Sequence, residues 1–363
     1  MTRPRSALIS LSDTPWYHCV SRCVRRAYLC GVDSVSGKDF EHRRGWIADK
    51  LKELAALFAI DVAAYAVMSN HYHLVLRVDV DRAAGWSDEE VLTRWTQVFA
   101  GPLLVQRYLL PQAREKMGEA ELAMVARFAA TYRERLADLS WFMRRLNETV
   151  ARMANAEDGC TGRFWEGRFK SQALLDEKAV LTAMAYVDLN PVRAGMAGTP
   201  EDSDHTSIQE RLRQVQATGD AGQAAGTERE TEKVSAGEPA RAALMPFDAR
   251  GELPWAIPFG WAEYAELVDW TGRQLRPGKR GHITDAQPAL LQRLGLQGEA
   301  FADMACHLLE RFGVAVGAPP AMARLCARTQ RRFLHGQRAA RRICPQNVPV
   351  PPSTSTTDGL TVA

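Results

Sequence analysis

An α+β fold, an antiparallel sheet with helices on one face, is predicted by three features of the 363-residue sequence. Short stretches of aromatic and β-branched residues alternate in the period of a strand. Longer stretches between them carry apolar residues at helical spacing. The two kinds come in the order β-α-β-β, a long helical stretch, then β-α.

Each element has its own justification. Trp16 to Arg22 (W-Y-H-C-V-S-R) is aromatic, β-branched and alternating, and is read as a strand. Lys38 to Phe58 places Trp46, Ile47, Leu51, Leu54, Leu57 and Phe58 at helical intervals. Asp61 to Met68 is a second strand and His71 to Val78 a third. The short polar turn Ser69-Asn70 between them predicts an antiparallel hairpin. From Asp79 to about Ala156 the pattern is helical, broken at Gly85 and Gly101-Pro102, with Asp138-Leu139-Ser140 opening the last helix. Gly159 to Gly167 is a glycine-rich aromatic loop, and Phe169 to Leu175 fits a fourth strand. Asp176 can cap a helix running to about Leu189, which Asn190-Pro191 should end. This order is that of a ferredoxin-like layer.

Domain organisation follows from composition. Residues 1–200 are read as one domain with a helical insertion at about 79–136, and 201–245 as a flexible linker, with Gly219 to Glu238 nearly devoid of apolar residues. Residues 246–344 have enough apolar side chains for a smaller, mainly helical accessory unit. The Pro-, Ser- and Thr-rich stretch 345–363 is read as a disordered tail.

A hydrophobic fraction of 46% and a charged fraction of 25% are those of an ordinary globular protein. No apolar run reaches the roughly 18 residues needed to span a bilayer, and the N-terminus has no signal-peptide core, so a cytoplasmic protein without membrane contact is expected. The seven cysteines fit neither a disulfide framework nor a paired zinc motif, and are read as reduced, buried thiols. Cys19, Cys23 and Cys30 with His18 form an alternative metal-ligand set. The net charge of +3 excludes little, but seven arginines and no carboxylate lie between Ala321 and Pro345. Arg324, Arg328, Arg331 and Arg332 recur at helical spacing and predict one basic stripe, either a DNA-backbone clamp or a solvated face.

Three further motifs can carry chemistry. His71 and His73 are two apart on a strand, so both imidazoles share a face and can hold one divalent cation, while Tyr72 turns away. An H-x-H pair also arises by chance among eight histidines. Tyr186 and Asn190 are four apart at the C-terminal end of a predicted helix. A tyrosine there, with a cation nearby to ease formation of the phenolate, can attack a phosphodiester and form a covalent phosphotyrosine. The alternative is a core tyrosine before a helix-ending Asn-Pro. Gly162 to Lys170 (G-R-F-W-E-G-R-F-K) combines arginines for phosphates with aromatics for base stacking; the alternative is a loop whose aromatics plug the core.

Taken in order, Tyr17-His18-Cys19-Val20-Ser21-Arg22, Met68 to Leu76, Phe164 to Phe169 and Tyr186 to Ala194 resemble the REP-associated tyrosine transposases. These form part of the one-tyrosine branch of the HUH single-strand DNA transposases. The resemblance covers about Pro15 to Ala197. It implies a ferredoxin-like fold, Mg²⁺ or Mn²⁺ held by His71 and His73, and Tyr186 as the nucleophile joined to a DNA 5′-phosphate while a 3′-hydroxyl leaves. Asn190 would be a third ligand or a positioner. The implied partner is single-stranded DNA with hairpin-forming repeats, met by a monomer or homodimer. Expected DNA contacts are Arg22, Arg163, Phe164, Trp165, Arg168, Lys170, Arg193, Arg324, Arg328, Arg331 and Arg332. Three features depart from the family: Tyr72 stands where an apolar residue is usual, the 79–136 stretch is longer, and the unit after Leu244 has no counterpart in compact members. The expected function is therefore a transposase or endonuclease. The alternatives are a catalytically silent nucleic-acid-binding descendant and an unrelated metallohydrolase, which would need further carboxylate ligands such as those of an H-E-x-x-H motif.

Overall fold

The computed structural model describes residues 8–24, 29–33, 37–218, 240–274 and 288–345. The chain begins with β1 (Trp16–Arg22), α1 (Arg43–Leu57), β2 (Ile60–Val67) and β3 (His71–Val78). Five helices follow: α2 (Val80–Gly85), α3 (Asp88–Val98), α4 (Leu103–Leu109), α5 (Pro111–Arg114) and α6 (Glu119–Leu136). Next come α7 (Leu139–Glu157), β4 (Lys170–Leu174), α8 (Glu177–Asp188), α9 (Asn190–Arg193) and α10 (Ser207–Thr218). The C-terminal part holds α11 (Trp261–Gln274), α12 (Ala289–Arg293), α13 (Gly298–Arg311), β5 (Ala315–Val316), α14 (Pro319–Arg328) and α15 (Gln337–Ile343).

The strands form one sheet in the order β2-β3-β1-β4-β5. The first four are antiparallel to their neighbours, as expected, whereas β5 runs parallel to β4. Local chemistry sets the helix starts. Asp138 accepts from Ser140 and Trp141 backbone N–H groups at the head of α7, and Asp176 accepts from Ala179 N at the head of α8.

Helices on one face describe only half of this molecule. Along β3, neighbouring side chains point to opposite faces. The Tyr72 hydroxyl donates to Asn147 of α7, while His73 lies against Tyr186 of α8. Buried Arg43 of α1 bonds Glu157 and Asp158 at the end of α7, so α1 and α7 share the Tyr72 face. The helix α8 covers the opposite face, and α13 packs upon it. With both faces covered, β1, β2 and β3 are buried almost throughout instead of alternating.

The expected linker is partly built into the fold. Its residues 207–218 form α10 on β2, where Ser207 bonds the Tyr65 backbone and Arg211 donates to Ala63 O and Met245 O. Residues 240–245 are tied by Ala242 N to Lys52 O and Met245 N to Val62 O. Positions 219–239, the apolar-poor part, lie outside the described residues, as do 346–363 of the expected tail. Nor is 246–344 a separate body, because it adds β5 to the sheet and shares one hydrophobic core with the rest. The buried Asp188 carboxylate at the end of α8 marks the join. It accepts from Ser207 Oγ, Ile208 N and the Tyr264 hydroxyl of α11.

Candidate active site

On the α8 face of the sheet the side chains of β1 and β3 meet those of α8 and α9. His71 and His73 share that face, with ring centroids 4.8 Å apart. Tyr186, on α8, lies edge-on to His73 at 5.4 Å. These residues and Arg22, Asn190 and Arg193 surround one cavity of about 500 Å³, except that His73 is wholly buried behind it. Segments distant in sequence are thus brought to one place.

The hydrogen bonds of the two imidazoles follow one pattern. His71 Nδ1 pairs with Asn70 Oδ1 at 2.5 Å, and His73 Nδ1 pairs with His18 Nε2 at 3.0 Å. His73 Nε2 is buried and has no hydrogen-bond partner among the described residues. An imidazole tied at one nitrogen and bare at the other is the usual arrangement of a metal ligand. Burial holds His71 down to about 4, with Arg22 and Arg193 acting the same way. Burial, then His18 and His71, hold His73 well below the ordinary value. Both rings are therefore neutral near neutral pH, the form that coordinates a cation. Among the described residues, no group of three or more His, Cys, Asp or Glu side chains is arranged to hold a metal. Among the described residues the two imidazoles are the grouped candidates, and further positions of an ion would be open to substrate oxygens or water.

Asn190 does not stand as a free ligand. It is buried, and its Oδ1 accepts from Arg193 Nη2 at 2.8 Å. The same guanidinium reaches the Tyr186 hydroxyl at 3.4 Å and lies over its ring at 5.0 Å. Burial raises the Tyr186 phenol above its ordinary value, while Arg193 and Arg22 pull it back. The site thus has two neutral imidazoles, a phenol and two exposed guanidinium groups, a combination suited to a phosphate.

The aromatic loop is a different matter. Phe164 and Trp165 are 2% and 8% exposed, so neither is a stacking platform. Trp165 packs on Tyr72 and donates to Asn147 O, because these rings fill the α7 face. Arg163 folds back on its own loop, to Trp165 O and Glu166 O. Arg168 and Lys170 remain exposed. The C-terminal basic stripe is broken as well: α14 ends at Arg328, with Arg331 and Arg332 beyond it. Arg328 is paired with Asp13, and Arg324 is exposed. Cys19, Cys23 and Cys30 are buried and form no disulfide among the described residues, and His18 spends its nitrogens on Gln172 and His73.

Four features of the site escaped the sequence reading. Asn70 was visible in the motif as a turn residue only. His18 and Gln172 join through strand register, and α13 supplies a cavity wall with Cys306, His307, Leu309 and Glu310.

No family model matches the chain, and no curated protein matches it. One solved structure is similar, a REP-associated tyrosine transposase bound to a REP hairpin. The identity is 12% and the TM-score 0.34, over 67% of this chain and 99% of that one. At that level the likeness carries no argument about activity. Among the described residues no helix is long and apolar enough to cross a membrane.

Proposed function

We propose that this protein cuts and rejoins single-stranded DNA through a covalent phosphotyrosine at Tyr186, as a transposase or endonuclease using Mg²⁺ or Mn²⁺ at His71 and His73. One observation carries the reading: a tyrosine, the His71 imidazole and two arginines line one cavity, and directly behind it the same-face imidazole of His73 has no partner on Nε2 among the described residues. The motif resemblance at Tyr17 to Arg22, Met68 to Leu76 and Tyr186 to Ala194 supports it. A divalent ion bound there would supply positive charge to the scissile phosphate.

The chain's own groups do the rest. Arg22 and Arg193 draw the phosphodiester in. The Tyr186 oxygen attacks phosphorus, the bond from phosphorus to the 3′-oxygen breaks, and the 5′-phosphate stays on the tyrosine. The phenol's proton leaves to solvent in the cavity, and the departing 3′-oxygen takes one up. The phosphotyrosine keeps the bond energy, so a 3′-hydroxyl can later reverse the step without a nucleotide cofactor.

The test is incubation of single-stranded DNA from the gene's own flanks with Mn²⁺, followed by a denaturing gel. A protein–DNA adduct is expected from the full chain and none from Tyr186→Phe, which should still bind the DNA. Cleavage at the normal rate by Tyr186→Phe, or DNA linked to another residue, would refute the assignment. A binding-only reading draws on the engagement of Asn190 Oδ1 by Arg193 and on the lack, among the described residues, of any group of three His, Cys, Asp or Glu side chains arranged to hold a metal. It predicts tight DNA binding with no adduct at all.

A further inference from the structure

The fully buried His18 and the buried Gln172 take no part in the chemistry above, yet they form a continuous chain to His73. Gln172 Oε1 lies 2.9 Å from His18 Nδ1, and His18 Nε2 lies 3.0 Å from His73 Nδ1. At its other end the Gln172 amide nitrogen faces two backbone carbonyls, Gly313 O at 2.7 Å and Phe312 O at 3.2 Å. We propose that Gln172 and His18 are positioning residues that hold the proton of His73 on Nδ1, and that the carbonyls of Phe312 and Gly313 set the direction of the chain.

The direction follows from donors and acceptors. Two carbonyl oxygens can face only the NH₂ end of Gln172, so its oxygen faces His18. His18 Nδ1 must then carry the proton and donate, which leaves its Nε2 bare. A bare Nε2 at 3.0 Å requires a donor on His73, and so Nδ1 of His73 carries the proton. The bare nitrogen of His73 is Nε2, the atom without a partner. Reversing the chain would turn the Gln172 oxygen onto two carbonyl oxygens in a buried site, an arrangement with no hydrogen bond and mutual repulsion. Phe312 and Gly313 sit between α13 and β5, and their neighbour Val314 accepts from Ala173 N at 2.9 Å. The C-terminal part of the chain therefore reaches His73 through three hydrogen bonds in series.

The ligand role of His73 rests on the function proposed above, but the proton lock does not depend on it. The decisive measurement is the ring-nitrogen NMR spectrum of the metal-free, full-length chain labelled with ¹⁵N-histidine, which separates protonated from bare nitrogens. Both His18 and His73 should be protonated at Nδ1. Gln172→Met removes the acceptor and should move protons of both rings to Nε2, in whole or in part. Gln172→Glu, held protonated by burial so that its hydroxyl donates to the Gly313 carbonyl while its other oxygen faces His18, should preserve the wild-type pattern. Mn²⁺ titration gives a second readout: Gln172→Met should weaken binding by about 10- to 100-fold, as loss of an orienting partner usually does. A wild-type His73 protonated at Nε2 would overturn the proposal, and this holds even where no variant folds. So would Gln172→Met with an unchanged spectrum and unchanged Mn²⁺ affinity. A wild-type chain with the expected protons but no Mn²⁺ binding would sink the metal reading and leave the lock standing.

Discussion

Arg193 acts on Tyr186 and Asn190 with one guanidinium, and the balance between burial and charge at the phenol depends on it. Burial pushes the Tyr186 phenol up and Arg193 is the largest influence pulling it down. Arg193→Gln should therefore raise the phenol further, so that the pH dependence of cleavage shifts to higher pH. The rate near neutral pH should fall about 10²- to 10³-fold, the usual cost of one removed electrostatic stabiliser. Cleavage by Arg193→Gln with an unmoved pH profile would exclude this role. His71 offers a cleaner test of the metal, since it is only partly buried at the cavity wall, unlike His73. His71→Ala should keep the thermal melt within a few degrees (~1 kcal/mol or less) but abolish Mn²⁺ binding and cleavage. Excess chelator should do the same to the unaltered chain. These residues were legible in the sequence because each depends only on its own strand or helix. His71 and His73 share a face by the period of two, and Tyr186 precedes Asn190 by one helical turn. His18 was not legible as their partner, because its bond to His73 joins residues 55 apart and exists only in one strand register.

The element that positions the nucleophile, α8, is fixed at both ends by carboxylates. At its start Asp176 caps the helix through Oδ1 and accepts from Ala318 N through Oδ2 at 2.6 Å. At its end the fully buried Asp188 is raised to about 6, from burial, against the hydrogen bonds of Ser207 and Tyr264. For a carboxyl whose folded value lies above its unfolded one, the stabilising contribution is complete below about 4 and is lost as pH rises through about 6. A rise of about two units corresponds to roughly 3 kcal/mol. Asp188→Asn keeps an oxygen for Ser207 and Ile208 and can donate to the Tyr264 oxygen, with no charge to bury. Urea melts should therefore show Asp188→Asn gaining roughly 2–3 kcal/mol on the unaltered chain between about pH 4 and pH 7. A gap that stays constant across that range would mean that Asp188 does not titrate there. The caps at Asp138 and Asp176 were predictable from a carboxylate placed before a helical pattern. The second use of Asp176 was not, since Ala318 reaches it through a fold in the chain 142 residues away.

At the scale of the whole molecule, sequence reasoning separated what the fold joins. Composition marked a break between residues 201 and 245, and helical spacing after it suggested a self-contained unit. The two-residue strand β5 is too short to show any period, so its place beside β4 could not be read. Yet that strand covers the β4 edge, with Val314 O and Val316 O accepting from Ala173 N and Leu175 N at 2.9 Å each. The same part of the chain supplies the Tyr264 hydroxyl to Asp188 and one wall of the cavity. Removing residues 246–363 would therefore uncover an unpaired strand edge, a buried carboxylate short of a donor and the apolar surface of α8. Each is a known route to instability or aggregation, and a buried charge left short of partners costs ~3 kcal/mol or more. A fragment of residues 1–245 is thus expected to aggregate or to melt without cooperativity, even though it contains His71, His73 and Tyr186. Adding 246–363 as a second chain should restore a cooperative melt and, with it, the covalent DNA adduct. If the fragment instead melts cooperatively at the temperature of the full chain and forms the adduct alone, the C-terminal part is an accessory, as composition suggested. The contacts at Asp188 and β4 would then be dispensable to both fold and site.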